Sequence, residues 1–376
     1  MRIAYMLTSL GMGGAERQVV ALAERMAGRG HTVALIVLMP RVAQEWPTAL
    51  DVVHLEMRKT PVSVFRGLMR ARRFLREFRP DLVHSHTYPG NMAARMLRLV
   101  GATPAVVSTI HNVYEGGWGR MLAYRLTDGL SLRTTAVSQA AAERYVRIKA
   151  VPKNKCVALA NAIDIVEFEP AAERRAATRD QLGAAEAFLW LAVGRIVPAK
   201  DFPNLLRAFA QVRRAFPEAQ LWIAGEAAAT VANRVGAFAV EHGEMDGVRW
   251  LGLRRDMPAL FDAADAFVLA SAWEGMPLAL GEAMAMEMPA VATDVGGVRE
   301  LVGSSGAIVP AKDPSALADA MLALMRMPPE ARHAQGRAAR QRIAENFSID
   351  ALADRWEEFY GSVLAFRSRP VSRTFA

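Results

Sequence analysis

Cysteine is all but absent: Cys156 is the single thiol in a chain of 376 residues. One thiol excludes an internal disulfide and any metal site built on several cysteines, so a reducing, cytoplasmic setting is expected. Long apolar runs are lacking too. The uncharged stretches around 99–110 and 266–273 fall well short of the roughly 18 to 20 residues of a membrane-spanning helix, and the chain reads as soluble or peripheral. The N-terminal segment 1–12 is interrupted by Thr8 and Ser9, and no small-residue cleavage site precedes a glycine-rich turn. It reads as a buried first strand and not as a signal peptide. Asp-x-Asp does not occur anywhere in the sequence. No metal site and no cofactor are expected.

What is present suits a two-domain enzyme. Hydrophobic residues make up 52% and charged residues 22% of the chain, which excludes disorder. The length favours two domains of roughly 150 to 200 residues each. The net charge of +8 is unevenly placed: residues 1–165 hold 23 Lys+Arg against 11 Asp+Glu, and the remainder holds 23 against 27. A one-sided positive field attracts nucleic acid, anionic lipid or a phosphorylated substrate.

Short apolar runs alternate with helical periodicity throughout. In the first half the run 2–8, the glycines 11–14, the amphipathic segment 15–29 and the run 33–38 form a βαβ unit, and alternation continues to 137. The periodicity resets after 161–170, where composition turns acidic, and a second series runs from 188 to 346. The expectation is two doubly wound, parallel α/β domains of Rossmann type, residues 1–165 and 166–348. A last amphipathic helix, 349–364, carries Leu352, Trp356, Phe359, Tyr360 and Val363 on one side and must dock on something.

Four features carry chemistry. Gly11-x-Gly13-Gly14 follows a strand and opens a helix, where backbone N–H groups and the helix dipole receive an anion or an approaching sugar. A tight turn needed for packing alone would look the same. The dinucleotide pattern G-x-G-x-x-G is broken by Glu16. Gly194-Arg195 ends a strand and Lys200 precedes the next helix, which places two cations where a diphosphate would sit. Glu274 and Glu282 stand eight residues apart after the strand 266–270. With Pro277 at a first helical position, Glu274 lies in the loop and Glu282 within the helix, where a carboxylate can accept from paired ribose hydroxyls. His84 and His86 share one face of a strand, but no third ligand stands near them in sequence.

Together, Gly-Gly-Ala-Glu near the N-terminus, Gly194-Arg195 with Lys200, the Glu274 and Glu282 pair and the segment 293–301 (TDVGGVREL) resemble the retaining, nucleotide-sugar-dependent glycosyltransferases of family 4 (glycosyl transferases group 1), which have the GT-B fold. That resemblance implies two Rossmann-like domains facing across a cleft. The N-terminal domain would bind the acceptor, the C-terminal domain the nucleotide-sugar donor, and the helix 349–364 would cross back onto the first domain. It implies that Arg195 and Lys200 neutralise the donor diphosphate, that Glu282 holds the ribose, and that Glu274 contacts the donor sugar or its phosphate end. Gly194, Gly275, Met276 and Pro277 would line the donor. Gly13 and Gly14 would let a sugar approach the backbone, and His111 would lie close to the donor sugar. The sequence departs from the family pattern at Asp201, Ala227 and Glu287, where glycine is usual.

The segment 64–78 sets Arg66, Arg70, Arg72, Arg73 and Arg76 around Phe65, Leu68, Met69, Phe74 and Leu75. An ordinary surface helix and a contact with anionic lipid both fit. Nucleic acid fits less well, since the aromatic residues are not interleaved with the arginines for base stacking and no recognition motif accompanies the charge. The expected activity is transfer of a hexosyl unit to a lipid-linked, polysaccharide or other glycan acceptor, in cell-surface polysaccharide biosynthesis, by a cytoplasmic enzyme on the inner face of the plasma membrane. A nucleotide-sugar epimerase of similar two-domain fold, and a non-catalytic nucleotide-sugar or membrane-binding module, are the alternatives.

Overall fold

The structure, a computed structural model, describes residues 1–184, 186–226 and 247–368. The chain divides into two compact units, one formed by Met1–Ala162 with the segment from Ile349 onward, the other by Ile163–Ser348. Both chain passages at this boundary adjoin within the second unit, where Ile163 N donates to Phe347 O at 2.8 Å.

The first unit is a seven-stranded sheet in the order β3-β2-β1-β4-β5-β6-β7. Its strands are β1 (Arg2–Leu7), β2 (Thr32–Val37), β3 (Val52–His54), β4 (Leu82–His86), β5 (Val106–Ile110), β6 (Arg133–Ala136) and β7 (Cys156–Ala158). All pairings are parallel. Alternate residues of β1 serve opposite faces, as the period of two demands. Ile3, Tyr5 and Leu7 pack with Val19, Leu22 and Met26 of the helix Gly14–Gly28, while Ala4 and Met6 pack with Ala71 and Leu75 of the helix Pro61–Phe78. With helices on both faces, a strand such as β5 is buried along its whole length and reads as a continuous run instead of an alternating one.

The final helix, Ile349–Ser368, completes this unit. Trp356 and Tyr360 enter the core beside Ile3 and Tyr5. Its acidic face meets the end of the helix Gly14–Gly28: Arg25 pairs with Asp350, Arg29 reaches Asp354 at 2.6 Å and Glu357 at 2.5 Å, and His31 reaches Glu357 at 2.6 Å.

The second unit repeats the plan with six parallel strands in the order β10-β9-β8-β11-β12-β13. They are β8 (Leu189–Val193), β9 (Gln220–Ala224), β10 (Val248–Gly252), β11 (Ala266–Leu269), β12 (Ala290–Thr293) and β13 (Ala307–Val309). Its core joins Trp190 and Ala192 to Leu205, Phe209 and Val212 of the helix Phe202–Ala215 and to Leu317, Met321 and Leu324 of the helix Pro314–Arg326. Each sheet therefore has the doubly wound order whose direction reverses at its centre, between β1 and β4 and between β8 and β11. Ligands bind such sheets outside the carboxyl ends of the strands flanking that reversal.

Several expectations need correction. Pro277 is not the first helical residue: it precedes the helix Leu278–Ala285 as its N-cap in extended geometry. The helix expected over 64–78 starts three residues earlier, at Pro61, behind a Thr60 cap whose side chain accepts from Ser63 N. Strands β3 and β7 and the helices Gln139–Arg147 and Ala172–Leu182 are additional. Ala227 lies outside the described residues.

Candidate active site

Each unit carries one set of candidate residues at the carboxyl ends of strands at or next to its reversal point. In the second unit, Gly194 and Arg195 follow β8, and Lys200 ends a short 3-10 turn, Pro198–Lys200. Gly194 has φ 156° and lies against the Lys200 side chain. A β-carbon on it would stand 2.8 Å from Cε of Lys200, whose aliphatic stem crosses that point, and one on Gly225 would overlap the Gly194 carbonyl.

Glu274 lies in the loop between β11 and the helix Leu278–Ala285. It is buried, and one oxygen, Oε1, accepts from Lys200 Nζ at 2.6 Å and from Ser271 Oγ at 2.7 Å. The two loops are also joined through their backbones, Ala272 N donating to Ala199 O at 2.8 Å. The 293–301 segment turns out to buttress this loop. Thr293 Oγ1 donates to Ser271 O at 2.7 Å, Gly297 N donates to Gly275 O at 2.7 Å, and Gly296, with φ 54°, passes so close to the Glu274 carbonyl that a β-carbon would overlap it. Arg195 differs from Lys200 in being exposed; among the described residues no hydrogen bond or ion pair engages its guanidinium.

Glu282 is buried in the first turns of the helix Leu278–Ala285, whose N-terminus has no side-chain cap. The first-turn N–H groups of an uncapped helix are donors in want of an acceptor, and the helix dipole favours an anion there. The Glu282 carboxylate, a buried paired acceptor, and these N–H groups can together hold a polar, anionic ligand.

Two of the departures from the family pattern have a geometric explanation. Asp201 and Glu287 both adopt left-handed backbone, with φ 46° and 57°. Glycine populates that region without the β-carbon clash that other residues meet there.

In the first unit, Gly13 caps the helix Gly14–Gly28 with backbone alone, and Gly14 is its first, exposed residue. The turn is held by Gly13 N donating to Gly11 O at 2.8 Å. Glu16 folds back against Gly13, where a β-carbon would meet its carboxylate, and accepts from Ser9 Oγ at 3.1 Å. His111 follows β5. Its backbone N–H donates to Glu115 Oε1 at 2.9 Å, and Tyr124 Oη donates to Glu115 Oε2 at 2.8 Å. Burial lowers the His111 pKa to about 4 and raises that of Glu115 to about 7, the latter against the pull of its two hydrogen bonds and of Arg120.

His84, His86 and His111 form a cluster, and burial holds His84 and His86 well below the usual histidine range. Among the described residues no three His, Cys, Asp or Glu side chains are gathered to hold a metal ion. The sequence reading did not single out Ser271 or Glu115. Glu115 was marked only by the Gly116-Gly117 turn signal that follows it, and Ser271 only by its place three residues before Glu274.

Comparison with known proteins identifies relatives of the whole chain. A profile described as Glycosyltransferase Family 4 matches residues 12–167, and one described as Glycosyl transferases group 1 matches residues 187–327. A D-inositol 3-phosphate glycosyltransferase of Saccharomonospora viridis is 30% identical over 331 residues, covering 80% of this chain and 74% of that protein. The UDP-Gal:alpha-D-GlcNAc-diphosphoundecaprenol alpha-1,3-galactosyltransferase of Escherichia coli is 23% identical over 78% of this chain and 79% of its own length. Among solved structures, Anabaena HepE in complex with UDP and glucose superposes with a TM-score of 0.85 at 19% identity, covering 96% of this chain and all of that one. Among the described residues no helix is long and apolar enough to cross a membrane.

Proposed function

The chain belongs to glycosyltransferase family 4, with the GT-B fold of two Rossmann-like units, and from that premise we propose that it moves a hexosyl unit from a nucleoside-diphosphate sugar to a lipid-linked, polysaccharide or other glycan acceptor, with retained anomeric configuration. The observation that carries this reading is the second unit's cluster at its reversal point: Lys200 held on Glu274, an exposed Arg195 with no partner among the described residues, and an uncapped helix bearing Glu282. Cleaving a glycosyl-phosphate bond drives negative charge onto the leaving diphosphate. Arg195, Lys200 and the first-turn N–H groups stabilise that charge as it develops, so no metal is called for. Glu282 accepts from the ribose hydroxyls, Glu274 orients Lys200 and the donor sugar, and Gly194, Gly275, Met276 and Pro277 let the donor close on the backbone. In the first unit, which takes the acceptor, Gly13 and Gly14 supply the open turn and His111 meets the transferred sugar. The HepE complex with UDP and glucose and the UDP-Gal specificity in the E. coli relative's name support a UDP-sugar as donor.

A lipid-linked acceptor, as in that relative's name, would be reached from the inner face of the plasma membrane, in cell-surface polysaccharide biosynthesis. The helix Pro61–Phe78 supports this. Leu75 is buried and Leu68 and Phe74 pack on the core, but Val62 and Phe65 are 61% and 63% exposed, and Met69 is 37% exposed, beside exposed Arg66, Arg70, Arg73 and Arg76.

The test is product formation from a panel of nucleotide sugars with polyprenyl-diphosphate-linked and free glycan acceptors, the product anomer being read by NMR. Acceptor-dependent transfer with retention, weakened in donor binding by Glu282→Ala and indifferent to EDTA, is expected. Interconversion of the sugar without acceptor would identify an epimerase, and binding without turnover a non-catalytic module. Loss of activity in EDTA, restored by a divalent ion, would overturn the metal-free mechanism.

A further inference from the structure

A second histidine stands behind His111. His86 closes β4 and pairs with Thr109 of β5, which sets it beside the residue that follows that strand. The rings meet, His86 Nδ1 lying 3.0 Å from His111 Nε2. His86 is 2% exposed, and its other nitrogen, Nε2, is buried without a hydrogen-bond partner. Nor is the ring free to turn. It stacks on Tyr5 at 22° between planes and lies 4.0 Å, centroid to centroid, from His84. His84 is itself engaged at both nitrogens, Nδ1 lying 2.7 Å from the Tyr360 hydroxyl and Nε2 2.6 Å from Thr109 Oγ1.

A hydrogen bond between two imidazole nitrogens holds one proton, and two arrangements satisfy it. Burial keeps both histidines neutral near pH 7, so each carries a single ring N–H. If His111 Nε2 were the donor, the His86 proton would sit on Nε2, as a buried N–H with nothing to receive it. A buried N–H with no acceptor loses its hydration without replacement, and an under-used acceptor is better tolerated. We propose that His86 is a positioning residue: it donates Nδ1–H to His111 Nε2 and so holds His111 in the tautomer protonated on Nδ1. His111 then offers the transferred sugar a hydrogen-bond donor and not a lone pair, and acts in the reaction as an orienting group and not as a base. This builds on the place given to His111 in the proposed function.

Histidine-selective nitrogen-15 labelling of the full chain, with two-bond proton–nitrogen correlation spectra near neutral pH, reads the tautomer directly; His111 is assigned from the signal lost in His111→Gln. In the wild type, Nε2 of His111 is expected at the unprotonated position and Nδ1 at the protonated one. His86→Asn, whose amide N–H can replace the donor, should keep the pattern and most of the turnover. His86→Leu should shift His111 toward the Nε2–H form and lower kcat by about tenfold or more, with the donor KM nearly unchanged. A wild-type His111 protonated on Nε2, or an unaltered tautomer in His86→Leu, overturns the proposal. A shifted tautomer with unchanged kcat overturns the positioning role and removes His111 from the transfer reaction. If the wild type transfers no sugar at all, the proposed function fails, while the spectra still decide where the proton lies.

Discussion

Lys200 and Glu274, 74 positions apart in sequence, meet at 2.6 Å because β8 and β11 are neighbours in the second sheet. The Lys200 charge at this strand end is therefore compensated by Glu274, and Arg195, exposed and without a partner among the described residues, supplies the uncompensated one. Two substitutions should separate these roles. Lys200→Ala leaves a buried carboxylate with Ser271 as its remaining side-chain donor among the described residues and should lower stability by about 2 kcal/mol, discounted from a fully buried pair because both side chains keep some solvent contact. Replacing Glu274 as well, by Gln, should recover part of that loss. Arg195→Ala should change stability by less than about 0.5 kcal/mol yet lower kcat at least tenfold, that is by about 1.4 kcal/mol of transition-state stabilisation. Urea denaturation of the four proteins alongside steady-state kinetics checks both. Near-normal kcat in Arg195→Ala would remove it from the diphosphate site.

Glu287, with φ 57°, holds a left-handed conformation that costs roughly 1 to 2 kcal/mol for a residue with a β-carbon. Glu287→Gly should raise stability by about 0.5 to 1 kcal/mol once the greater unfolded-state freedom of glycine is subtracted, whereas Glu287→Ala should not. Equal midpoints for the two variants in chemical denaturation would contradict the backbone explanation. Asp201 should respond less, since Asp tolerates this region better.

Glu115 titrates at about 7 in the folded chain and near 4.5 when unfolded. Between these values the folded state binds the extra proton, so this group's contribution to stability falls as pH rises and levels off above about pH 7, for a total of ~3 kcal/mol. His111, lowered to about 4, acts in the opposite sense: the unfolded state takes its proton first as pH falls from 6.5, and stability is lost toward pH 4. Subtracting one variant from another isolates the carboxyl. Glu115→Gln should gain in thermal midpoint relative to wild type between pH 5 and about pH 7.5, and a constant difference would show that the carboxyl does not titrate there.

Attraction between the arginines of the helix Pro61–Phe78 and anionic lipid should act over about a Debye length, 8 to 10 Å, and weaken as salt rises. Co-sedimentation with anionic vesicles should be salt-reversible and largely lost when Arg66, Arg70, Arg73 and Arg76 become Gln. Phe65→Ser and Met69→Ser should weaken it at all salt concentrations, because they remove apolar insertion and not charge. Arg72 is left out because its side chain is partly buried, with Nε enclosed. Equal pelleting with neutral vesicles would show that charge does not direct binding.

Much of the architecture was legible because parallel strands covered on both faces become apolar runs, and β1, the helix Gly14–Gly28 and β2 stand where the run 2–8, the segment 15–29 and the run 33–38 put them. Three of the four omitted elements show too little pattern to be read. Strands β3 and β7 are three-residue, half-buried edges of the first sheet, too short and too mixed to show a period. The helix Ala172–Leu182 buries only Thr178, so it has no apolar face to announce it. The chemistry-bearing residues could be named from motif spacing, but not their partners. That Ser271 and Lys200 share one oxygen of Glu274, or that His86 reaches His111, follows from strand adjacency and loop path, which spacing does not encode.

The final helix has a consequence for how the molecule is made. Tyr360 and Trp356 fill the space beside Ile3 and Tyr5, so a ribosome delivers the first strand long before the residues that cover one of its faces. At ~5–20 residues per second, the chain from Ile163 to Ser348 takes on the order of ten to forty seconds to emerge. Throughout that interval the nascent N-terminal sheet shows water, or a chaperone, an uncovered apolar surface, while the second unit, contiguous in sequence, can close on itself first. The usual order, in which the domain synthesised first is finished first, is reversed here, and a stop codon just after Ser348 would spare the later-made unit and leave the earlier one incomplete.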